Sequence, residues 1–319
     1  MTGMEFWLPV VWSGLIAVAV IMYVVMDGFD LGMGILFPVA PGDQDRDLMM
    51  SSVAPVWDGN ETWLILGGGG LLAAFPVAYA TILPALYIPV IVMLLALAFR
   101  GVAFEFRFKA SPQNRWVWDL AFSGGSTVAT FAQGVVLGAF IQGFEVADER
   151  FVGGPFDWLT PFAALTGLAL VAGYGLLGAT WLILKTEGEL QQWARANALV
   201  LLGLVTVFVG AVSLWTPFLD NTIHLRWFSW PNIAYLAPVP VVTALAIGRL
   251  WLVVRRGYEV QPFLLSIGLF LLSYLGLAIS VYPNVVPHGV TIWEAASHPS
   301  SLLFMLVGIA VLLPIILAY

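Results

Sequence analysis

Apolar residues run in long unbroken stretches along this chain, with polar residues in short bursts between them. A membrane crossing needs about 20 apolar residues, because a helix rises about 1.5 Å per residue through a hydrocarbon core of about 30 Å. Nine stretches meet that need: residues 8–36, 55–75, 79–104, 116–142, 158–184, 197–219, 231–254, 261–282 and 299–319. Only a turn at Pro76 parts the second from the third. The longest connections are 37–54, 143–157 and 283–298. The pattern predicts an all-α polytopic membrane protein, one integral membrane domain over 1–319 with nine transmembrane helices. Nine divides into a four-helix bundle over 8–142, a second over 158–282 and a ninth helix over 299–319. Gly28-Phe-Asp-Leu-Gly32 echoes Gly173-Tyr-Gly-Leu-Leu-Gly178. That likeness suggests a parallel repeat whose second copy lacks the carboxylate.

The basic residues predict an orientation. With the N-terminus outside, the inner connections hold Arg46, Arg100, Arg107, Lys109, Arg115, Lys185, Arg195, Arg249, Arg255 and Arg256. The outer ones hold only Arg150 and Arg226, which completes the 12 Lys and Arg. Positive charge collects on the cytoplasmic side, so the N-terminus is expected outside and the C-terminus inside. The first stretch has no basic n-region and runs on past Asp27 and Asp30, so it reads as a span and not a cleaved signal. Trp and Tyr cluster near span ends, as interfacial belts do.

Composition narrows the function. At 61% hydrophobic and 10% charged, with mean hydropathy +0.94, the chain has too few charges to cover a water-soluble surface. A net charge of −7 gives no electrostatic basis for nucleic-acid binding. The absence of cysteine removes disulfides, thiolate metal sites, iron–sulfur clusters and covalent c-type haem. His224, His288 and His298 fall in outer connections or at a span end, so no facing pair for a bis-His haem is offered. A metal at His288 and His298 is outweighed by their Pro-rich loop setting. Met22, Met26 and Met33 read as packing residues. The Gly67–Gly70 run lacks the Lys-Ser/Thr of a phosphate loop. The chain is therefore expected to bind no metal and to have no redox centre of its own.

The informative polar residues are acids inside apolar stretches, where a charge costs at least about 2.5–3.5 kcal/mol. Asp27 and Asp30 stand three apart, on one helical face, toward the inner end of the first stretch. Asp58 and Glu61 repeat the spacing at the inner end of the second, and Asp119 opens the fourth. From Leu8 to Asp27 is about 28 Å of helix, which puts Asp27 and Asp30 at or near the inner interface. Four carboxylates could thus gather at one mouth as a proton-uptake antechamber. Helix capping and interfacial hydration account for the same acids.

Three motifs carry a family resemblance. Met26-Asp-Gly-Phe-Asp-Leu-Gly-Met-Gly34, Ala54-Pro-Val-Trp-Asp-Gly-Asn-Glu-Thr-Trp63 and Phe99-Arg-Gly-Val-Ala-Phe-Glu-Phe-Arg107 resemble the signatures of subunit II of cytochrome bd quinol oxidases. Tyr282-Pro283, Trp293-Glu-Ala-Ala-Ser and Leu312-Leu-Pro-Ile-Ile316 are similar to its C-terminal stretch. The loops and short length resemble the cyanide-insensitive branch. The resemblance implies a haem-free subunit II, in the bacterial cytoplasmic membrane, with an obligate subunit I bearing two b haems and one d haem. It implies quinol and dioxygen as substrates of the complex. It also admits a structural quinone and a small single-helix subunit. Asp58 matches the family's proton-route acid and Trp63 a position near its oxygen route. Asp27 and Asp30 match the acids of the first motif. Two departures stand out: the sequence stops at Tyr319, flush with the ninth stretch, where the family's basic tail is expected, and the connection before 231 is short.

Two other functions fit the spacing alone. A proton-coupled secondary transporter would use intramembrane acids and repeats, though no paired broken helices are evident. A purely structural membrane scaffold would use every acid as a cap.

Overall fold

Proline marks several helix starts, where its fixed φ suits the first turn and its missing N–H goes unneeded. Pro76, Pro161, Pro238 and Pro299 all open helices in the computed structural model, which describes residues 3–148, 150–287 and 289–318. Helices α1 (Gly3–Leu36), α2 (Asp43–Val53), α3 (Trp57–Ala74), α4 (Pro76–Arg107) and α5 (Arg115–Gln142) come first. A two-stranded ribbon of β1 (Val146–Ala147) and β2 (Arg150–Phe151) leads to α6 (Pro161–Lys185) and α7 (Gly188–Trp215). Short helices α8 (Asn221–Phe228) and α9 (Asn232–Leu236) precede α10 (Pro238–Arg255) and α11 (Val260–Val281). A second ribbon, β3 (Asn284–Val286) and β4 (Val290–Thr291), leads to α12 (Pro299–Ala318).

Among the described residues, seven helices are long and apolar enough to cross a membrane: α1, α4, α5, α6, α7, α11 and the α9–α10 run. The other two expected stretches are also helical, as α3 and α12. At 18 residues, α3 is about 27 Å long and carries Asp58 and Glu61 in its first half. The turn at Pro76 is where the sequence puts it, with Phe75 alone between α3 and α4. His288 and Tyr319 lie outside the described residues.

Packing centres on α1 and α6. Helix α1 lies against α3, α5, α6 and α12, and α6 against α5, α7 and α11. Missing side chains make the closest approaches possible. A methyl group at Gly32 would overlap the Tyr174 carbonyl, and one at Gly178 would come within 2.5 Å of the Gly32 backbone. The two glycine motifs read as repeat copies therefore meet each other. Gly134 and Gly138 serve the α5–α6 crossing in the same way, against Thr166 and Ala163.

Polar side chains close the helix ends. Ser297 donates from its N–H to Ala74 O (2.8 Å) and from its hydroxyl to Ala73 O (2.7 Å), satisfying the end of α3. Outside the spans, the Thr291 N–H and hydroxyl donate to Glu294 and hold its carboxyl below the usual range. A charged cluster binds α2 across the ends of α4 and α5. Arg107, 1% exposed, contacts Asp47 on α2 and donates to Asp119 on α5 at 2.5 Å, with its guanidinium 5.0 Å from the Phe37 ring. Asp119 thus serves as an ion-pair partner. Arg46 adds contacts to Asp43 at 3.0 Å and Asp119 at 3.9 Å.

Candidate functional site: a buried acid–arginine cluster

The first three motifs converge on one place. Helix α1 supplies Asp27 and Asp30, α3 supplies Asn60 and Glu61, and α4 supplies Arg100. Asp27, Asp30 and Arg100 are each 0% exposed. Arg100 donates from Nη1 to Asp27 Oδ1 at 2.7 Å, and its Nη2 lies 3.7 Å from Glu61 Oε1. Asn60 donates from Nδ2 to Asp30 Oδ2 (2.7 Å) and to the Met26 carbonyl (3.1 Å). The guanidinium also sits 5.9 Å from the Trp57 ring, which stacks on Phe104 at 4.8 Å. Gly101 leaves room for that indole, since a Cβ there would come 3.3 Å from it.

Two expectations need correction. Asp27 and Asp30 are not at the helix mouth. Helix α1 runs on to Leu36, so Asp27 lies about 13.5 Å inside that end, walled in by protein. Arg100 does not belong to an inner connection. It lies seven residues inside the end of α4 and is completely buried. An enclosed charge is held only by a partner, and Asp27 is that partner.

The four predicted acids separate by exposure. Asp58, at the start of α3, is exposed; Glu61, one turn on, is half-buried with 27% of its side chain exposed; Asp30 and Asp27 are sealed. Three of them surround Arg100, and Asp58 stands outside. Trp63 is half-buried on α3. Several polar atoms of the cluster lack a hydrogen-bond partner among the described residues: Asp27 Oδ2, Asp30 Oδ1, Glu61 Oε1, and Arg100 Nε and Nη2. No group of three His, Asp or Glu placed to hold a metal occurs among those residues.

Sequence reasoning missed Arg100, Asn60 and a second polar chain formed by Tyr23, Gln133 and Tyr174. The signal for Arg100 was present, because it falls inside the third apolar stretch. Gln133, similarly, lies within the fourth.

The profile of cytochrome bd terminal oxidase subunit II matches residues 8–319. The chain belongs to the cytochrome bd terminal oxidase subunit II family. Its relatives include subunit 2 of the cytochrome bd-I ubiquinol oxidase of Escherichia coli K12, 30% identical over 97% of this chain and 91% of that one. The cytochrome bd ubiquinol oxidase subunit 2 of Bacillus subtilis is 29% identical over 96% and 91%. The bd oxidase of Geobacillus thermodenitrificans shares the fold, with a TM-score of 0.78 at 19% identity, covering 98% of this chain and 96% of that one. As a cytochrome bd subunit II with seven long apolar helices, the chain is a multi-pass protein of the bacterial inner membrane and part of an oxidoreductase complex with a subunit I.

Proposed function

We propose that this chain is the haem-free subunit II of a quinol:dioxygen oxidoreductase, and that it leads protons toward the oxygen chemistry of its partner. The haems, two b and one d, belong to subunit I in this reading, as do quinol oxidation and the reduction of oxygen to water. Here the chain crosses the membrane nine times, with α1, α3, α4 and α5 as one bundle, α6, α7, α10 and α11 as the second, and α12 as the ninth span.

The graded burial of the acids around Arg100 carries this reading. Asp58 is open, Glu61 is half-open and touches the guanidinium, and Asp30 and Asp27 lie beyond it. An exposed acid can load a proton, and a half-buried one can pass it inward. One guanidinium faces three carboxyls, so the cluster can hold protons as well as charge. Trp63, on the same helix, is our candidate for the wall of an oxygen route, and its truncation should raise KM for oxygen without altering the haem spectrum.

The test is Asp30→Asn in the assembled oxidase. Quinol oxidation and proton uptake should fall at least about tenfold, about 1.4 kcal/mol in the barrier, with the reduced-minus-oxidised haem spectrum unchanged. Asp58→Asn should slow uptake in the same assay. Normal turnover in both would remove these acids from the route and favour the scaffold reading, which the closed Arg100–Asp27 pair would also serve.

A further inference from the structure

Behind the acid–arginine cluster lies a chain of polar side chains that the proton route does not use. Tyr174 on α6 is 0% exposed, and its hydroxyl donates to Gln133 Oε1 on α5 at 3.0 Å. Gln133 donates from Nε2 to Tyr23 Oη on α1 at 2.7 Å. Tyr23 stands one turn before Asp27 on the same helical face and lies within electrostatic reach of Asp27, Tyr174, Arg100 and Glu61.

Proton counting gives this chain a direction. A tyrosine hydroxyl carries one proton. Tyr174 gives its proton to Gln133, while Tyr23 receives the Gln133 amide and keeps its own proton to give. The opposite amide orientation would turn Tyr23 into a donor to Gln133 and leave Asp27 Oδ2 with nothing. Arg100 already holds Asp27 Oδ1, and the other oxygen of that carboxyl, Oδ2, is one of the buried oxygens without a hydrogen-bond partner among the described residues. A buried acceptor left unpaired costs about 1–3 kcal/mol, so a donor aimed at it matters.

The geometry points to Tyr23 as a positioning residue that gives its hydrogen bond to Asp27 Oδ2 and, with Arg100 on Oδ1, fixes Asp27 as a permanent carboxylate. Asp30 and Glu61 then carry the exchangeable protons. Among the described residues Asp30 has only the neutral Asn60 amide on one oxygen and no hydrogen-bond partner on the other, and Glu61 meets Arg100 at 3.7 Å. A buried carboxyl without its own cation is more stable neutral than charged. This division of labour deepens the proton-route reading of the same cluster and rests on it.

Infrared difference spectroscopy on the assembled oxidase tests it, reading the carbonyl stretch of protonated carboxyls at neutral pH. Relative to the unmutated complex, that signal should fall in Asp30→Asn and in Glu61→Gln. Tyr23→Phe, which removes only the hydroxyl, should add a band whose area matches a single carboxyl. The added band should vanish in Tyr23→Phe/Asp27→Asn, which a merely structural role for Tyr23 would not produce. Gln133→Leu, which frees Tyr23 from its holder, should add the same band, and serves as the test if Tyr23→Phe does not assemble. A spectrum unchanged by both Tyr23→Phe and Gln133→Leu, or an added band that persists in Tyr23→Phe/Asp27→Asn, overturns the proposal. Failure of the proton route itself looks different: Asp30→Asn would turn over with normal proton uptake while the band assignments stand.

Discussion

At the residue scale, one enclosed guanidinium organises the site. Arg100 and Asp27 are both 0% exposed and 2.7 Å apart. Removing one member of such a pair leaves the other charge uncompensated, at a cost of about 3–5 kcal/mol. Arg100→Gln should therefore lower the thermal stability or yield of the purified complex severely. Arg100→Gln/Asp27→Asn should recover much of the loss, because it buries no charge, and a double-mutant cycle on unfolding temperatures reads the coupling. Independent, additive losses would mean that the two side chains do not act as a pair. Arg100→Lys should restore stability only in part, since an ammonium cannot keep the forked contact that reaches Asp27 and Glu61 together. The sequence makes the acids legible because a carboxylate in an apolar stretch stands out. It hides Arg100, because Arg107, Lys109 and Arg115 follow closely and the group reads as a loop anchor. Tyr23 and Tyr174 give no signal at all, since tyrosine within a span is ordinary. Only tertiary structure brings α1, α5 and α6 together around Gln133.

At the element scale, the crossing of α1 and α6 decides whether the cluster forms, because α1 carries Asp27 and Asp30 and α6 carries Tyr174. Gly32 has no room for a methyl group against the Tyr174 carbonyl. Gly32→Ala must push the helices apart, and overpacking of this kind costs about 1–3 kcal/mol or more. It should lower thermal stability and weaken the Asp27–Arg100 contact. Gly203→Ala on α7, where nothing lies within 4 Å, should be neutral or slightly stabilising, because alanine favours a helix by up to about 1 kcal/mol over glycine. Equal effects of the two on melting temperature would show that helix propensity and not close approach governs Gly32. The glycine spacing makes this crossing readable in part: two glycines one turn apart at Gly28 and Gly32 permit close approach but do not name the partner helix. The helix within 37–54 leaves no mark in the apolar pattern, because α2 is too short and polar to show a membrane pattern. It is held in place by the ions on Asp47, Arg107 and Asp119, which are far apart in sequence.

At the scale of the whole molecule, the open quantity is the number of crossings, and the chain is well suited to measure it. Among the described residues seven helices are apolar and long enough by themselves; α3 and α12 make up the nine, and α3 is the one to test because it is short and acidic at its start. Burying Arg100 removes one cation from the inner tally, leaving nine of the 12 basic residues on the inner side of a nine-span arrangement and Arg150 and Arg226 outside. The bias survives the correction. If α3 did not cross, Arg107, Lys109 and Arg115 would move to the outside of a chain whose N-terminus is also outside, against that bias. The sequence has no cysteine, so single-cysteine variants need no background removed. Gln44, Ser111, Val152 and Asn221 are exposed and lie in four different connections. A membrane-impermeant maleimide applied from the periplasmic side should label Val152→Cys and Asn221→Cys and spare Gln44→Cys and Ser111→Cys. Labelling of Ser111→Cys but not Gln44→Cys would mean that α3 does not cross and that the N-terminus lies outside. Labelling of Gln44→Cys but not Ser111→Cys would mean that α3 does not cross and that the N-terminus lies inside. The second result would put the open acid Asp58 on the periplasmic side and end its proton-loading role, because proton uptake from the cytoplasm needs the start of α3 on that face; the first would leave Asp58 on the cytoplasmic side.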